Sequence, residues 1–180
     1  FAVPRGLHPA VTAFIRTRPD LLDTIEPALR RGDVIACTPR SWERVSQILR
    51  ALPDRALNRI AIAGVLGDAV AAEFLLVADD IAATVQVDAL LDARGAERLA
   101  LYPPSMHGLT ALVYALVTRA DAQCLPQIIA IMAELRRLGT TRGAPFVAMP
   151  LAELGTHGFE LLITRALAQG WTDAFAQSAE

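Results

Sequence analysis

The chain has 180 residues, 53% of them hydrophobic, and a mean hydropathy of +0.37. That length supports one sizeable domain or two small ones with a buried core, and no run approaches the ~18 unbroken apolar residues of a membrane span. The formal charge of -2 argues against a general nucleic-acid binder, which carries a basic excess; the lysine/arginine total is all arginine, so any mechanism that needs a lysine is excluded.

The stretch "PAVTAFIRTR" from Pro9 to Arg18 predicts a short helix with Val11, Phe14 and Ile15 on one face. Pro19 breaks it, and Asp20 leads into a short apolar turn. Residues Glu26 to Cys37, "EPALRRGDVIAC", read as a loop pivoting on Gly32. "TPRSWERVSQILRAL" then predicts a helix. Thr38 is its N-cap, Pro39 its first residue, and Trp42, Val45, Ile48, Leu49 and Leu52 form one apolar stripe. Pro53 ends it, and Asp54 caps "DRALNRIAIAGVLG", whose spacing places Leu57, Ile60, Ala61, Gly64 and Val65 inward. Gly67 and Asp68 restart a helix, "DAVAAEFLLVADDI", in which Ala69, Ala71 and Ala72 permit close packing.

"QVDALLDARGAERLALYPPS" reads as a short helix and then a loop, and Pro103-Pro104 is the best candidate boundary. Ser105 caps "SMHGLTALVYALVTRA", with Leu109, Leu112, Val113 and Leu116 at helical spacing. Asp121 caps the next helix, which presents Leu125, Ile128, Ile129, Met132 and Leu135 and stops at Gly139. "TTRGAPFVAMP" reads as a loop, followed by two short helices, "THGFELLITRALAQG" and "TDAFAQSA". No alternating strand run occurs, so the expected class is all-α.

The chemistry-bearing residues are scattered. His8, His107 and His157 lack metal-type neighbours and read as helix-start or surface residues. Asp79-Asp80 are adjacent, so they do not face each other, and a solvated helix end accounts for them. Ser41, Ser46 and Ser105 have no nucleophile elbow around them. No phosphate-binding loop of the GxxxxGK[ST] type and no GxGxxG stretch occurs. Cys37 and Cys124 have no metal-type spacing, and no secretory signal pattern is present; two free, mostly buried thiols in a cytoplasmic protein is the expectation. The opening "FAVPRGLHPAV", with no initiator methionine beside helix-forming sequence, reads as part of something longer.

Arg40 stands out because it falls in the opening turn of a helix, where the dipole favours Asp or Glu over a cation. Two readings stay open on the residues alone. Its stem packs on Trp42 or Glu43 with the head in water, or its guanidinium joins free N–H groups of the helix start to grip phosphate oxygens.

"GLHPAVTAFIRTRPDLL", then a loop, then "TPRSWERVSQIL", then "GVLGDAVAAEFLLV" resembles, over roughly the first 80 residues, the helical lid that follows the nucleotide-binding core in MoxR-like AAA+ ATPases. "TPRSWERVS" is the most specific part, and the second half is more weakly similar to the helical C-terminal extension of some members. The resemblance implies an AAA+ lid-like helical domain over residues 1–85, a linker over 86–104 and a C-terminal helical region over 105–180. It puts Arg40 at the position of the second sensor arginine, which reaches from lid to nucleotide phosphates and couples ATP state to lid orientation. Arg16 and Arg18 lie in the matching stretch with no nucleotide role assigned.

The Walker A lysine, Walker B carboxylates and first sensor residue would all lie upstream. The implied full-length parent uses ATP and Mg, assembles as a homo-oligomeric ring, acts as a remodelling or maturation chaperone in the cytoplasm, and serves a von Willebrand A-type partner. No nucleic acid and no membrane are expected as partners, and these residues alone are expected to bind no cofactor and hydrolyse no ATP. The alternative is a free-standing helical interaction domain without nucleotide function, its apolar content forming a groove for a partner helix.

Overall fold

Apolar residues recur along this chain at helical period, and among the described residues the computed structural model is all-α, without a strand. It describes residues 6–140 and 148–179. The chain divides into two units, residues 1–83 and 84–180.

In the first unit, α1 (Pro9–Thr17) starts where His8 turns its Nδ1 onto the Ala10 N–H (3.3 Å), and ends at Arg18 before Pro19. A 3₁₀ turn follows over Pro19–Leu21. Residues 26–37, expected as a loop, carry instead a helix, α2 (Ile25–Arg31). Proline is tolerated in a first helical turn, so Pro27 does not block it, and Glu26 pairs with Arg30 one turn on. Gly32 closes α2 in the left-handed region (φ +74°), where a side chain is disfavoured.

Helix α3 (Pro39–Ala51) begins at Thr38, whose Oγ1 accepts from the Ser41 N–H at 3.1 Å. Its buried face is Trp42, Val45 and Ser46, with Ile48 and Leu49 half-buried beside them. Trp42 is fully buried and packs against Phe14 (centroids 5.5 Å apart) and Phe74 (5.7 Å), while its Nε1–H donates to the Leu21 carbonyl at 2.8 Å. Phe14 meets Phe74 edge-on at 5.4 Å, so three helices are tied at one aromatic point. The hydroxyl of Ser46, a polar residue on this buried face, accepts from the His8 N–H at 2.8 Å.

Asp54 caps α4 (Arg55–Leu66) by accepting from the Ala56 and Leu57 N–H groups. The inward face differs from the one expected. Leu57 and Ile60 are 53% and 71% exposed, whereas Ile62 and Leu66 are buried. The inward row is the half-buried Asn58 followed by the buried Ile62 and Leu66 at i, i+4, i+8; a polar residue leading that row hid it from a count of apolar positions. Gly67 turns the chain at φ +81° into α5 (Asp68–Thr84). Of the three small residues expected at close packing there, Ala71 is buried and Ala69 and Ala72 are exposed; Phe74, Leu75 and Ile81 supply the rest of the buried face.

In the second unit, residues 86–104, read from the sequence as a linker, carry α6 (Val87–Asp92) and α7 (Gly95–Ala100), and Leu90, Leu91 and Tyr102 join the core. Ser105 caps α8 (Met106–Arg119) through the Gly108 N–H. Asp121 Oδ1 accepts from the Gln123 and Cys124 N–H groups, both at 2.9 Å, in the turn that leads into α9 (Leu125–Thr140). Gly139 does not stop that helix, which runs on to Thr140. Of the loop expected over residues 140–150, residues 141–147 lie outside the described residues, and from Ala148 the chain is already helical. There α10 (Ala148–Gln169) spans 22 residues, with α11 (Thr172–Ala179) after it.

Gly155 and Gly158 let α10 lie close on α9: a Cβ at Gly155 would meet the Arg136 N and Met132 O at 2.9 Å, and one at Gly158 would strike the Met132 side chain. Arg98 is buried and satisfied. Its Nε and Nη2 donate to the Ala93 carbonyl (3.0 and 2.7 Å), and its Nη1 lies 3.4 Å from Glu134 Oε2, which also accepts from the Tyr102 hydroxyl at 3.2 Å. Burial first, and then the Glu134 carboxylate, push the Tyr102 phenol well above its ordinary pKa.

Candidate functional site

Arg40 is exposed in the first turn of α3, and among the described residues no carboxylate or carbonyl engages its guanidinium. The N–H groups around it are fewer than a helix start normally offers. Pro39 has none, Thr38 takes the Ser41 N–H, and the Trp42 N–H bonds to the Thr38 carbonyl at 3.2 Å, leaving the Arg40 N–H. An anion held here would therefore be held chiefly by the guanidinium, a planar fork suited to two oxygens of one phosphate. Behind it the helix is anchored by the buried Trp42, so the guanidinium projects from a fixed base.

The approach to α3 is also tied down. The Cys37 N–H donates to Thr24 Oγ1 at 2.8 Å and the Thr24 N–H donates to the Cys37 carbonyl at 2.9 Å. Cys37 is a free, buried thiol, pushed above its ordinary pKa by burial, which disfavours the thiolate. Cys124 is free and half-buried, its thiol likewise pushed up by burial.

Of the two other arginines in the stretch that suggested a family, Arg18 clamps Asp20 (2.8 Å) and Glu73, and Arg16 is exposed. The Arg18 guanidinium holds the Asp20 carboxyl below its ordinary range. That ties the end of α1 to α5 and gives Arg18 a structural role. The three histidines are not brought together: His8 caps α1, His107 lies in the first turn of α8, and His157 Nε2 sits 3.0 Å from the Tyr114 hydroxyl. Asp79 pairs with Arg55 across α4 and α5, and Asp80 is exposed. Among the described residues no group of three or more His, Cys, Asp or Glu side chains could hold a metal ion, and no helix is long and apolar enough to cross a membrane.

A second constellation escaped the sequence reading. A cleft of about 300 Å³ in the first unit, by the C-terminal part of α3, is lined by His8, Asn58, Arg59, Arg55 and Asp79 over an apolar floor. The Asn58 Nδ2 donates to the Leu52 carbonyl at 2.7 Å, and its Oδ1 is buried without a partner among the described residues. The only signal in the sequence was Asn58 itself, a polar residue in register with Ile62 and Leu66.

Among the described residues the fold is all-α, and Arg40 is an exposed arginine in a helix's first turn that no ion pair engages, unlike Arg55 at the start of α4, which pairs with Asp79. The chain matches no protein-family description, no curated protein and no solved structure.

Proposed function

We propose that this chain is the helical lid, with a further helical region, of a MoxR-like AAA+ ATPase, and that Arg40 is its phosphate-sensing residue. The observation that carries the reading is Arg40 itself: an exposed guanidinium in the opening turn of a helix that is capped by Thr38 and anchored by Trp42, with no partner among the described residues. A cation in that turn works against the helix dipole unless an anion comes to it. An ATP phosphate presented by an upstream nucleotide-binding core would supply that anion, and Mg would be carried by the core and nucleotide. A fixed guanidinium stabilises charge on a transferring phosphoryl group only together with other converging groups. The lid alone would therefore bind ATP weakly and turn over none.

The parent would be a cytoplasmic, ring-forming remodelling chaperone serving a von Willebrand A-type protein. The test is ATP turnover by the full-length protein with Arg40→Ala, which should fall strongly while the lid stays folded; unchanged turnover removes the sensor role.

The second reading, a helical interaction domain without nucleotide function, draws on the exposed Leu29 (76%) and Val34 (100%) beside the half-exposed Ile35. The coding sequence upstream of Phe1 separates the two. An in-frame GK[ST] phosphate loop supports the lid, and a start codon immediately before Phe1 supports the interaction domain.

A further inference from the structure

The cleft by the C-terminal part of α3 holds more cation than the fold uses. Two guanidiniums, those of Arg55 and Arg59, line it against one carboxylate, Asp79. Arg55 already pairs with Asp79, which leaves the Arg59 charge uncompensated: Arg59 is exposed and makes no ion pair among the described residues. His8 is fixed by its capping bond. Because its Nδ1 accepts from the Ala10 N–H, the neutral ring carries its proton on Nε2, which has no hydrogen-bond partner among the described residues. The floor between these groups is apolar, formed by Ala10, Leu49 and Leu75. A donor, a free guanidinium and an apolar floor together match a ligand with an anionic head and a small apolar body.

We propose that this cleft binds a small organic oxyanion, a carboxylate or phosphate on an apolar body, through Arg59 and the His8 Nε2–H. The site is separate from Arg40, because Leu49 lies nine residues along α3, about 13.5 Å at 1.5 Å per residue. The proposal stands whether or not the chain is an ATPase lid. The charges around His8 support it. Burial, and then the Arg50 guanidinium, hold its imidazole below the ordinary value, while Arg50 itself donates to the Gly6 carbonyl. The other charged groups of the cleft are Arg55 and Arg59 on α4 and Asp79 on α5. An anion placed among them offsets the cations and favours the imidazolium, so binding is coupled to proton uptake at His8, a proton that goes onto Nδ1 at the expense of the Ala10 cap.

The test is an NMR titration of the 180-residue chain with benzoate, phenyl phosphate and the neutral benzyl alcohol, read at the His8 ring and the Ala10 and Ala78 amides. At least one anion should give saturable shifts with a dissociation constant of about 1 mM or tighter, and the tighter of the two names the head group. The His8 pKa should rise on saturation. Arg59→Gln, at an exposed position, should weaken binding about tenfold, the scale of one charge-assisted hydrogen bond. His8→Asn keeps an acceptor for the Ala10 N–H and should weaken binding while abolishing the pH dependence of benzoate binding near neutrality, where benzoate itself stays ionised. Arg40→Ala should leave the affinity unchanged. The proposal is overturned by the absence of saturable shifts up to about 10 mM, by an equal response to benzyl alcohol, by unchanged affinity in Arg59→Gln, or by a loss of binding in Arg40→Ala.

Discussion

Replacing Trp42 by Phe tests what holds α3, and with it Arg40, in place. The side chain is fully buried between Phe14 and Phe74, and its Nε1–H bonds to the Leu21 carbonyl at 2.8 Å. Phenylalanine keeps a ring for both aromatic contacts but loses that bond, a net cost of about 1 kcal/mol. The smaller ring leaves a void of about 40 Å³, which at about 24 cal/mol per Å³ costs about 1 kcal/mol more. The sum, about 2 kcal/mol, corresponds to roughly a 30-fold loss of protection from opening. Native-state amide hydrogen exchange is the assay, read at Val45 and Ile62, whose side chains are both fully buried in the first unit. Trp42→Ala should cost about 3–5 kcal/mol at the same amides. Protection unchanged within about threefold in Trp42→Phe would mean that neither the indole bond nor the packing around it holds the helix.

Gly155→Ala should destabilise the second unit by about 1–3 kcal/mol, because the new methyl meets backbone atoms of α9 rather than a side chain that can swing away. Gly64→Ala, in α4 with open space around it, should stabilise by about 0.5–1 kcal/mol. Urea unfolding of the two variants checks both signs. Glu134→Ala strands the buried Arg98 guanidinium and should cost about 3–5 kcal/mol, whereas the double variant Arg98→Met/Glu134→Leu should recover most of that loss. His8 sets a pH dependence. Its folded pKa lies below the ordinary 6.5, so the unfolded chain binds more protons, and stability present above 6.5 falls as pH drops toward the folded value. Denaturation midpoints in sulfate- and phosphate-free buffer at about pH 7.5 and 5.5 should differ in the native chain and differ less in His8→Asn; equal slopes would exclude His8 as the source.

The caps of α3 and α8 were legible because each rests on local chemistry: Thr38 and Ser105 do meet the N–H groups that follow them, whereas the His8 cap of α1 emerges only from the structure. Helix α2 was not legible, since Gly32 read as the pivot of a loop although glycine also closes a helix, and Pro27 is tolerated early in one. The face of α4 was misjudged for a tertiary reason. Asn58 is bonded to the Leu52 carbonyl and so sits on the packed side, leaving Ile60 in solvent. Arg40 was visible as an oddly placed cation, but its lack of a partner among the described residues, and the scarcity of free N–H groups beside it, emerge only from the geometry. The His8 cleft joins residues on four helices, and no spacing in the sequence announces it.

The central claim rests on Arg40, and the most direct measurement is steady-state ATP turnover by the full-length protein carrying Arg40→Ala beside the native protein, with lid folding checked by amide exchange at Val45 and Ile62 in both. Loss of one positioned phosphate-binding group predicts a drop of about 10²-fold. Equal turnover in the two proteins, or no ATP turnover by the native protein, would contradict the account.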